Sequence, residues 1–436
     1  MRMRFKLFLA LTLFCANASA AEPAEDKVEL PIPSSSAQRL YSKAKADIVQ
    51  LRSLLKNGRT QSSVGSGFLI GNSNLAVTNY HVMSQIALEP DIYVGEYVDT
   101  YGKRGTVELL AVDVLHDLAV VRIDRKGGGF FNVPDKLPTL VQGQYLYSLG
   151  NPLDLGFAIS EGAYNGIISR SFYDQLMFTG PINAGMSGGP SVTVDGQVAG
   201  VNVSKRLDGE LVSFLVPVRY VRDLLKKVAA QKEVPKDFKL VVGKQLQEHQ
   251  ATMMARLEKT PLTFKELKPY RVPVWESDQV RCWGRANGKQ SKSYSYDQVS
   301  CAMESALYVS NQTQTGHISI EHKLLQSIDL GDLRFAALAS RSFQNQSMGG
   351  HKDTRYTAPQ CTEQFVTNGK LPMRAVLCVR AYRKFPELYD FTLLTASTDS
   401  GRMSLQTRVD TSGVTYENGL RLARIFLEQA SREVQP

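Results

Sequence analysis

Three short segments place a histidine, an aspartate and a serine in that order: Val-Thr-Asn-Tyr-His-Val at 77–82, His-Asp-Leu-Ala-Val-Val at 116–121 and Asn-Ala-Gly-Met-Ser-Gly-Gly-Pro at 183–190. A serine hydroxyl is a weak nucleophile at neutral pH. An imidazole beside it can take its proton, and a buried carboxylate can fix the tautomer of that imidazole and stabilise its charged form. His81, Asp117 and Ser187, separated by 36 and 70 residues, are therefore candidate general base, orienter and nucleophile. The glycines around Ser187 suit an oxyanion site, which needs backbone N–H groups aimed at one point with no side chain in the way. Gly185 and Ser187 are the candidate donors, and Gly188 and Gly189 supply a tight turn. Singly, each residue has a structural explanation: a packed histidine at a strand end, a loop carboxylate, a glycine turn. Their joint occurrence favours nucleophilic catalysis.

The elements that must position these residues are read from the surrounding pattern. Short apolar runs punctuated by Gly and Asn recur at 66–70, 75–78, 118–123, 144–149, 159–169, 191–194, 198–203 and 211–217, an all-β rhythm that suits a barrel or sandwich pair. At 218–230 the period changes: Val221, Leu224, Leu225 and Val228 fall on one face of a closing helix. Residues 232–272 are charged and contain Pro235, Pro261 and Pro269, with one helix expected at 244–259, so they read as a structured linker. From 273 to 436 the pattern is mixed. Met403, Leu405 and Val409 alternate with polar residues as in a half-buried strand, a helix is expected at 415–429, and Gly349-Gly350 falls in a polar loop at 342–360. The expected architecture is an all-β double barrel at 38–231 followed by a smaller α+β domain at 273–436.

The chain has 436 residues, 43% of them hydrophobic and 21% charged, which fits ordinary folded domains and excludes wholesale disorder or a polytopic membrane protein. Arg2, Arg4 and Lys6 precede an apolar run at 7–16, and Ala18-Ser19-Ala20 supplies a cleavage site, so 1–20 reads as a signal peptide and 21–37 as a disordered lead-in. The mature chain is then expected in a periplasm or outside the cell, without a transmembrane segment. Removing three basic and no acidic residues lowers the formal charge from +9 to +6. No Lys/Arg block with interleaved aromatics marks a nucleic-acid groove. Of five cysteines, Cys15 leaves with the signal, while Cys282, Cys301, Cys361 and Cys378 form an even set in an exported chain. Three pairings are open, and Cys282 with Cys301 and Cys361 with Cys378 close the shortest loops. Their gaps suit no zinc knuckle, and His249, His317, His322 and His351 share no ligand spacing, so no metal is expected. Trp275 and Trp283 flank Cys282 and read as core packing beside a disulfide.

Five motifs in order, Gly65-Ser66-Gly67-Phe68-Leu69-Ile70, Thr78-Asn79-Tyr80-His81-Val82, Asp117-Leu118-Ala119-Val120, Gly150-Asn151-Pro152 and Gly185-Met186-Ser187-Gly188-Gly189-Pro190, resemble trypsin-like serine proteases of the HtrA/DegP type. The resemblance covers about 48–230. It implies two six-stranded barrels with the active site between them, a serine endopeptidase acting on protein or peptide substrates, and no cofactor. Two departures stand out. Met186 occupies a position where these proteases usually carry Asn or Asp, and nothing after 230 looks like a peptide-binding PDZ domain. Pro181, six residues before Ser187, stands where an aspartate would select Lys or Arg, and Val203 and Phe214 are apolar. Small or medium apolar side chains before the scissile bond are therefore expected.

Two other readings compete. Gly-Met-Ser-Gly-Gly also satisfies the nucleophile elbow of esterases, but an elbow opens a helix and has its acid and base downstream, whereas Pro190 and a strand-like run follow Ser187. The second is a latent or non-catalytic protease-like binding protein that acts through its C-terminal domain, which is also where a protein partner would dock.

Overall fold

The computed structural model describes residues 34–168, 170–205, 211–287, 293–304, 306–344, 348 and 353–432. The expected signal segment, residues 21–33 of the lead-in, Gly349-Gly350 and His351 lie outside them. Helix α1 (Ser35–Ala44) begins inside the expected lead-in, and Ser34 caps it by accepting from the Ala37 N–H. Six strands follow: β1 (Ile48–Leu55), β2 (Gln61–Leu69), β3 (Leu75–Thr78), β4 (Tyr93–Asp99), β5 (Arg104–Asp113) and β6 (Leu118–Ile123), with helix α2 (Tyr80–Leu88) between β3 and β4. They close into a barrel in the order β1-β2-β3-β6-β5-β4. A second closed barrel, ordered β10-β11-β12-β9-β8-β7, is built from β7 (Tyr145–Gly150), β8 (Ala158–Ile167), β9 (Leu176–Phe178), β10 (Pro190–Val192), β11 (Val198–Lys205) and β12 (Ser213–Pro217).

Successive residues in a strand point to opposite faces, and the first barrel uses both faces. Val49, Leu69, Ala76 and Val121 face its interior. Their neighbours Ile48, Phe68, Val77 and Val120 meet Tyr147, Val201 and Val216 of the second barrel. Burying each such side chain is worth roughly 1.5–3 kcal/mol, so the seam between the barrels is a core in its own right. Helix α3 (Val218–Ala230) matches the predicted closing helix, with Val218, Val221 and Leu224 buried along one face.

Helix α4 (Phe238–Lys259) starts earlier than expected because Asp237 caps it, accepting from the Lys239 and Leu240 N–H groups. The expected linker also yields two strands, β13 (Thr263–Leu267) and β14 (Tyr270–Val274). The remaining strands are β15 (Val280–Ala286), β16 (Tyr294–Met303), β17 (Leu307–Ser310), β18 (Thr313–Thr315), β19 (His317–Ser327), β20 (Gln360–Asn368), β21 (Leu371–Ala381), β22 (Tyr389–Ser397), β23 (Met403–Val414) and β24 (Ser431–Arg432). Helices α5 (Asp332–Ser342) and α6 (Tyr416–Gln429) complete this unit. Seven of its strands form an antiparallel sheet in the order β15-β16-β19-β23-β22-β21-β20. Cys282 pairs with Cys301 and Cys361 with Cys378, each disulfide joining residues directly opposite on neighbouring strands. Trp275 is buried against Phe426 of α6, whereas Trp283 is 59% exposed beneath the Arg281 guanidinium and does not pack in the core. Among the described residues, no helix is long and apolar enough to cross a membrane.

Candidate active site

Asp117 lies in the turn between β5 and β6 at φ +54°, a left-handed conformation that short polar residues tolerate better than most. Asn79 holds it there, its Nδ2–H donating to the Asp117 carbonyl at 2.8 Å. The carboxylate then faces the start of α2. Oδ1 accepts from the His81 backbone N–H at 2.8 Å, and Oδ2 lies 2.7 Å from His81 Nδ1. One carboxylate thus satisfies an unpaired amide at a helix N-terminus, where negative charge is favoured, and fixes the imidazole. Nε2 is left as the ring nitrogen that can exchange a proton with a neighbour. His81 is therefore in the first turn of a helix, not at a strand end. The chain turns at Thr78-Asn79, and Asp117 provides the capping contact that the Asn79 side chain does not make.

Ser187 sits in the 183–190 loop between β9 and β10. Gly188 has φ +87°, and a Cβ there would lie 2.2 Å from Thr78 Oγ1 and 2.3 Å from the Ser66 carbonyl, so the turn requires glycine. The loop's amides divide into two sets. Those of Met186, Gly188 and Gly189 donate to Asn183, Asn202 and Met186 carbonyls at 3.0, 2.9 and 3.0 Å. Those of Gly185 and Ser187 donate to no protein acceptor among the described residues. Unpaired N–H groups in a largely buried loop are uncommon, and here they are the two amides the sequence nominates for an oxyanion. The half-buried Ser187 hydroxyl donates to the Val203 carbonyl at 3.3 Å rather than bonding to His81. The structure therefore joins His81 to Asp117 directly and places Ser187 on the adjoining loop. A long or absent contact of this kind is common without substrate.

Met186 is buried with Leu146, Phe178, Ile182 and Leu215 in the core of the second barrel. An Asn or Asp at this position would place a polar group among these apolar side chains. Of the three residues nominated for specificity, Val203 and Phe214 line a cleft of about 740 Å³ beside Asp117. Pro181 does not line it; Pro181 is exposed and its carbonyl accepts from Ser160 Oγ at 2.9 Å.

Two further residues touch the site: Ser66, which the sequence offers only as part of the Gly65–Ile70 motif, and Tyr308, which has no sequence signal. Ser66 on β2 is fully buried: its hydroxyl donates to the Gly185 carbonyl at 2.7 Å and accepts from the Asn151 N–H at 2.9 Å, and its own N–H donates to the Ser187 carbonyl at 2.7 Å. It ties the first barrel to the loop of the second. Tyr308, on β17, places its ring 4.8 Å from the His81 ring, centroid to centroid, at 35°. Burial, and then the Asp117 charge, raises the Tyr308 phenol above its ordinary value.

Residues 65–201 match the family model for a trypsin-like peptidase domain. Over 216 residues the chain is 30% identical to the mitochondrial serine protease HTRA2 of Drosophila virilis, covering 48% of each. The HTRA2 protein of Drosophila grimshawi is 30% identical over 233 residues, 51% of this chain and 52% of the relative. The chain thus spans about half the length of the curated relatives it matches. Among solved structures it is similar to the serine endoprotease from Yersinia pestis, at 22% identity and a TM-score of 0.38, over 46% of this chain and 68% of that one.

Proposed function

We propose, from the premise that residues 65–201 are a trypsin-like peptidase domain, that the chain is a serine endopeptidase using His81, Asp117 and Ser187 on protein or peptide substrates. The observation that carries this reading is the paired His81 and Asp117, 2.7 Å apart, beside a serine loop that keeps two amides without protein acceptors. Ser187 Oγ attacks the scissile carbonyl carbon while His81 Nε2 takes the hydroxyl proton. Nδ1 meanwhile keeps its proton, and this N–H donates to the Asp117 Oδ2 carboxylate, which stabilises the imidazolium. The carbonyl oxygen becomes an oxyanion between the Gly185 and Ser187 amides. Collapse breaks the C–N bond, and His81 returns the proton to the leaving amine. Water then attacks the acyl carbonyl carbon and gives one proton to His81; the bond from that carbon to Ser187 Oγ breaks, His81 returns the proton to Oγ, and the acid departs.

Val203 and Phe214 favour a small or medium apolar side chain before the scissile bond. The two disulfides support folding in an oxidising compartment, consistent with 1–20 acting as a cleaved leader for periplasmic or extracellular export; N-terminal sequencing of the exported protein should then begin at Ala21. The relatives named above carry a mitochondrial designation, so a chain retained with Met1 would remove the export reading.

The decisive test is labelling of the purified chain with a fluorophosphonate probe alongside casein digestion. Both should be present in the wild type and absent in Ser187→Ala. A folded wild type that neither labels nor digests would favour the latent or non-catalytic binding protein instead.

A further inference from the structure

Strands β17 and β18 pair with each other and not with the seven-stranded sheet. Their hairpin leans on the helix that carries His81. Tyr80, fully buried on α2, donates its hydroxyl to the Val309 carbonyl at 2.7 Å, and the Asn311 N–H donates to Ser84 Oγ at 3.0 Å. Leu307 and Val309 share a core cluster with Tyr80, Val82 and Met83. Buried hydrogen bonds and a common apolar core make this a built contact. It sets the Tyr308 ring on that of His81.

The same hairpin bounds the cleft. One wall consists of Val114, Asp117, Met177 and Phe214 from the barrels, and the other of Leu307 and Tyr308. A volume of about 740 Å³ lies within the roughly 300–1,000 Å³ typical of ligand sites. Of its lining residues, Asp174 and Glu304 are paired with Arg219 and Arg281, and Val203, Val212, Phe214, Leu307 and Tyr308 give it an apolar stretch. The hairpin does not seal the nucleophile: Ser187 stays half-buried, and the Gly185 and Ser187 amides have no protein acceptor among the described residues.

We propose that the β17–β18 hairpin of the C-terminal unit is a wall of the substrate cleft, and that Tyr308 is a specificity-determining residue receiving an apolar side chain on the N-terminal side of the scissile bond. This rests on the serine endopeptidase reading. The side is assigned because the cleft, which Asp117 lines but His81 and Ser187 do not, contains Val203 and Phe214, the residues proposed for the acyl portion of the substrate, and the Val203 carbonyl accepts from Ser187 Oγ at 3.3 Å.

The test uses the full chain and a series of quenched fluorescent peptides that differ only in the second or third residue before the cleaved bond. Wild type should prefer Leu or Phe over Gly there. In Tyr308→Ala that preference ratio in kcat/KM should fall about tenfold, mainly through KM, while Tyr308→Phe keeps it. Tyr308→Trp, which narrows the cleft without removing the ring, should shift the optimum to a smaller side chain and keeps the test available if the alanine variant fails to fold. The same series should be titrated against Ser187→Ala, with and without Tyr308→Ala, by fluorescence anisotropy. That readout needs no turnover, so loss of apolar preference in binding supports the wall even if the chain proves inactive. An equal acceleration of every peptide would make the hairpin an inhibitory strap and overturn the proposal. An unchanged preference ratio in both turnover and binding would overturn it as well.

Discussion

In the two barrels one set of buried polar side chains converges on the loops of the candidate site, whereas in the C-terminal unit buried polar side chains such as His322, Thr392 and Thr407 lie along strands of a sheet that also carries cross-links. Ser66, Asn79 and Asp117 all hold backbone or side chains at the candidate site, and Asn202 binds the Leu149 and Met186 carbonyls at 3.0 and 3.3 Å. His322 on β19, by contrast, bridges Thr407 Oγ1 on β23 and the Pro273 carbonyl on β14, both at 2.8 Å. Both disulfides also lie in this unit. The difference separates two uses of buried polarity: in the barrels it fixes loop geometry, and in the sheet it fixes strand pairing. Damage to the first should appear in turnover and damage to the second in stability.

The largest effect is expected from Asp117→Asn, which keeps the shape of the turn but replaces the acceptor for Nδ1–H with an amide that can hold the wrong tautomer. The expectation is a loss of about 10⁴-fold in kcat with little change in melting temperature. A variant that unfolds while its residual kcat stays normal would place Asp117 on the structural side of the comparison.

Acid should act on stability, through His322 in the sheet and His249 on α4, which meets Tyr173 of the second barrel at 2.9 Å. Burial depresses both His249 and His322 to about 4, from an ordinary value of 6.5. Above that value the folded and unfolded chains both hold neutral rings, so the contribution is fully present. Between it and about 4 the unfolded chain takes up protons that the folded chain refuses, and stability falls as pH falls. Each ring should remove on the order of 3 kcal/mol across that window. Thermal melts between neutral and mildly acidic pH should show this decline, and a flat melting temperature would contradict it.

The smallest effect is expected from Ser66→Ala, which leaves the Gly185 carbonyl and the Asn151 N–H without that hydroxyl. A roughly tenfold drop in kcat at unchanged KM is predicted, with about 1–3 kcal/mol of stability lost. Steady-state kinetics separates the two, because loss of stability alone leaves kcat per folded molecule intact.

Much of the barrel pair is legible because its strands are short, apolar and punctuated by glycine. The ranges of β3, β6 and α3 agree with the sequence pattern at both ends. Helix α2 is not legible: Tyr-His-Val-Met-Ser-Gln-Ile-Ala-Leu has Tyr80, Val82, Met83, Ala87 and Leu88 buried, which erases the one-sided periodicity of a surface helix. Strands β13 and β14 were masked by Pro269 and Pro273. Pro273 is tolerated because β24 pairs only with Tyr270 and Arg271, leaving the proline nitrogen on an unpaired edge. At the site, residue types and glycines point to His81, Asp117, Ser187 and the two amides. The contribution of Tyr308 has no sequence signal, since it meets His81 only through the packing of two units.

The shared core beneath α2 has a consequence for folding cooperativity. Val49, Leu51 and Val121 of the first barrel belong to one apolar cluster with Val242 and Leu246 of α4 and with Val309, Tyr382 and Phe385 of the C-terminal unit. Gln245 of α4 also accepts from the Val114 N–H at 2.7 Å and donates to the Val112 carbonyl at 3.0 Å, just before the Asp117 turn. A chain joined in this way does not behave as beads on a string. Releasing the sheet unit would uncover apolar surface on the helix that bears His81, so the energetic boundary between the units does not coincide with any break in the chain.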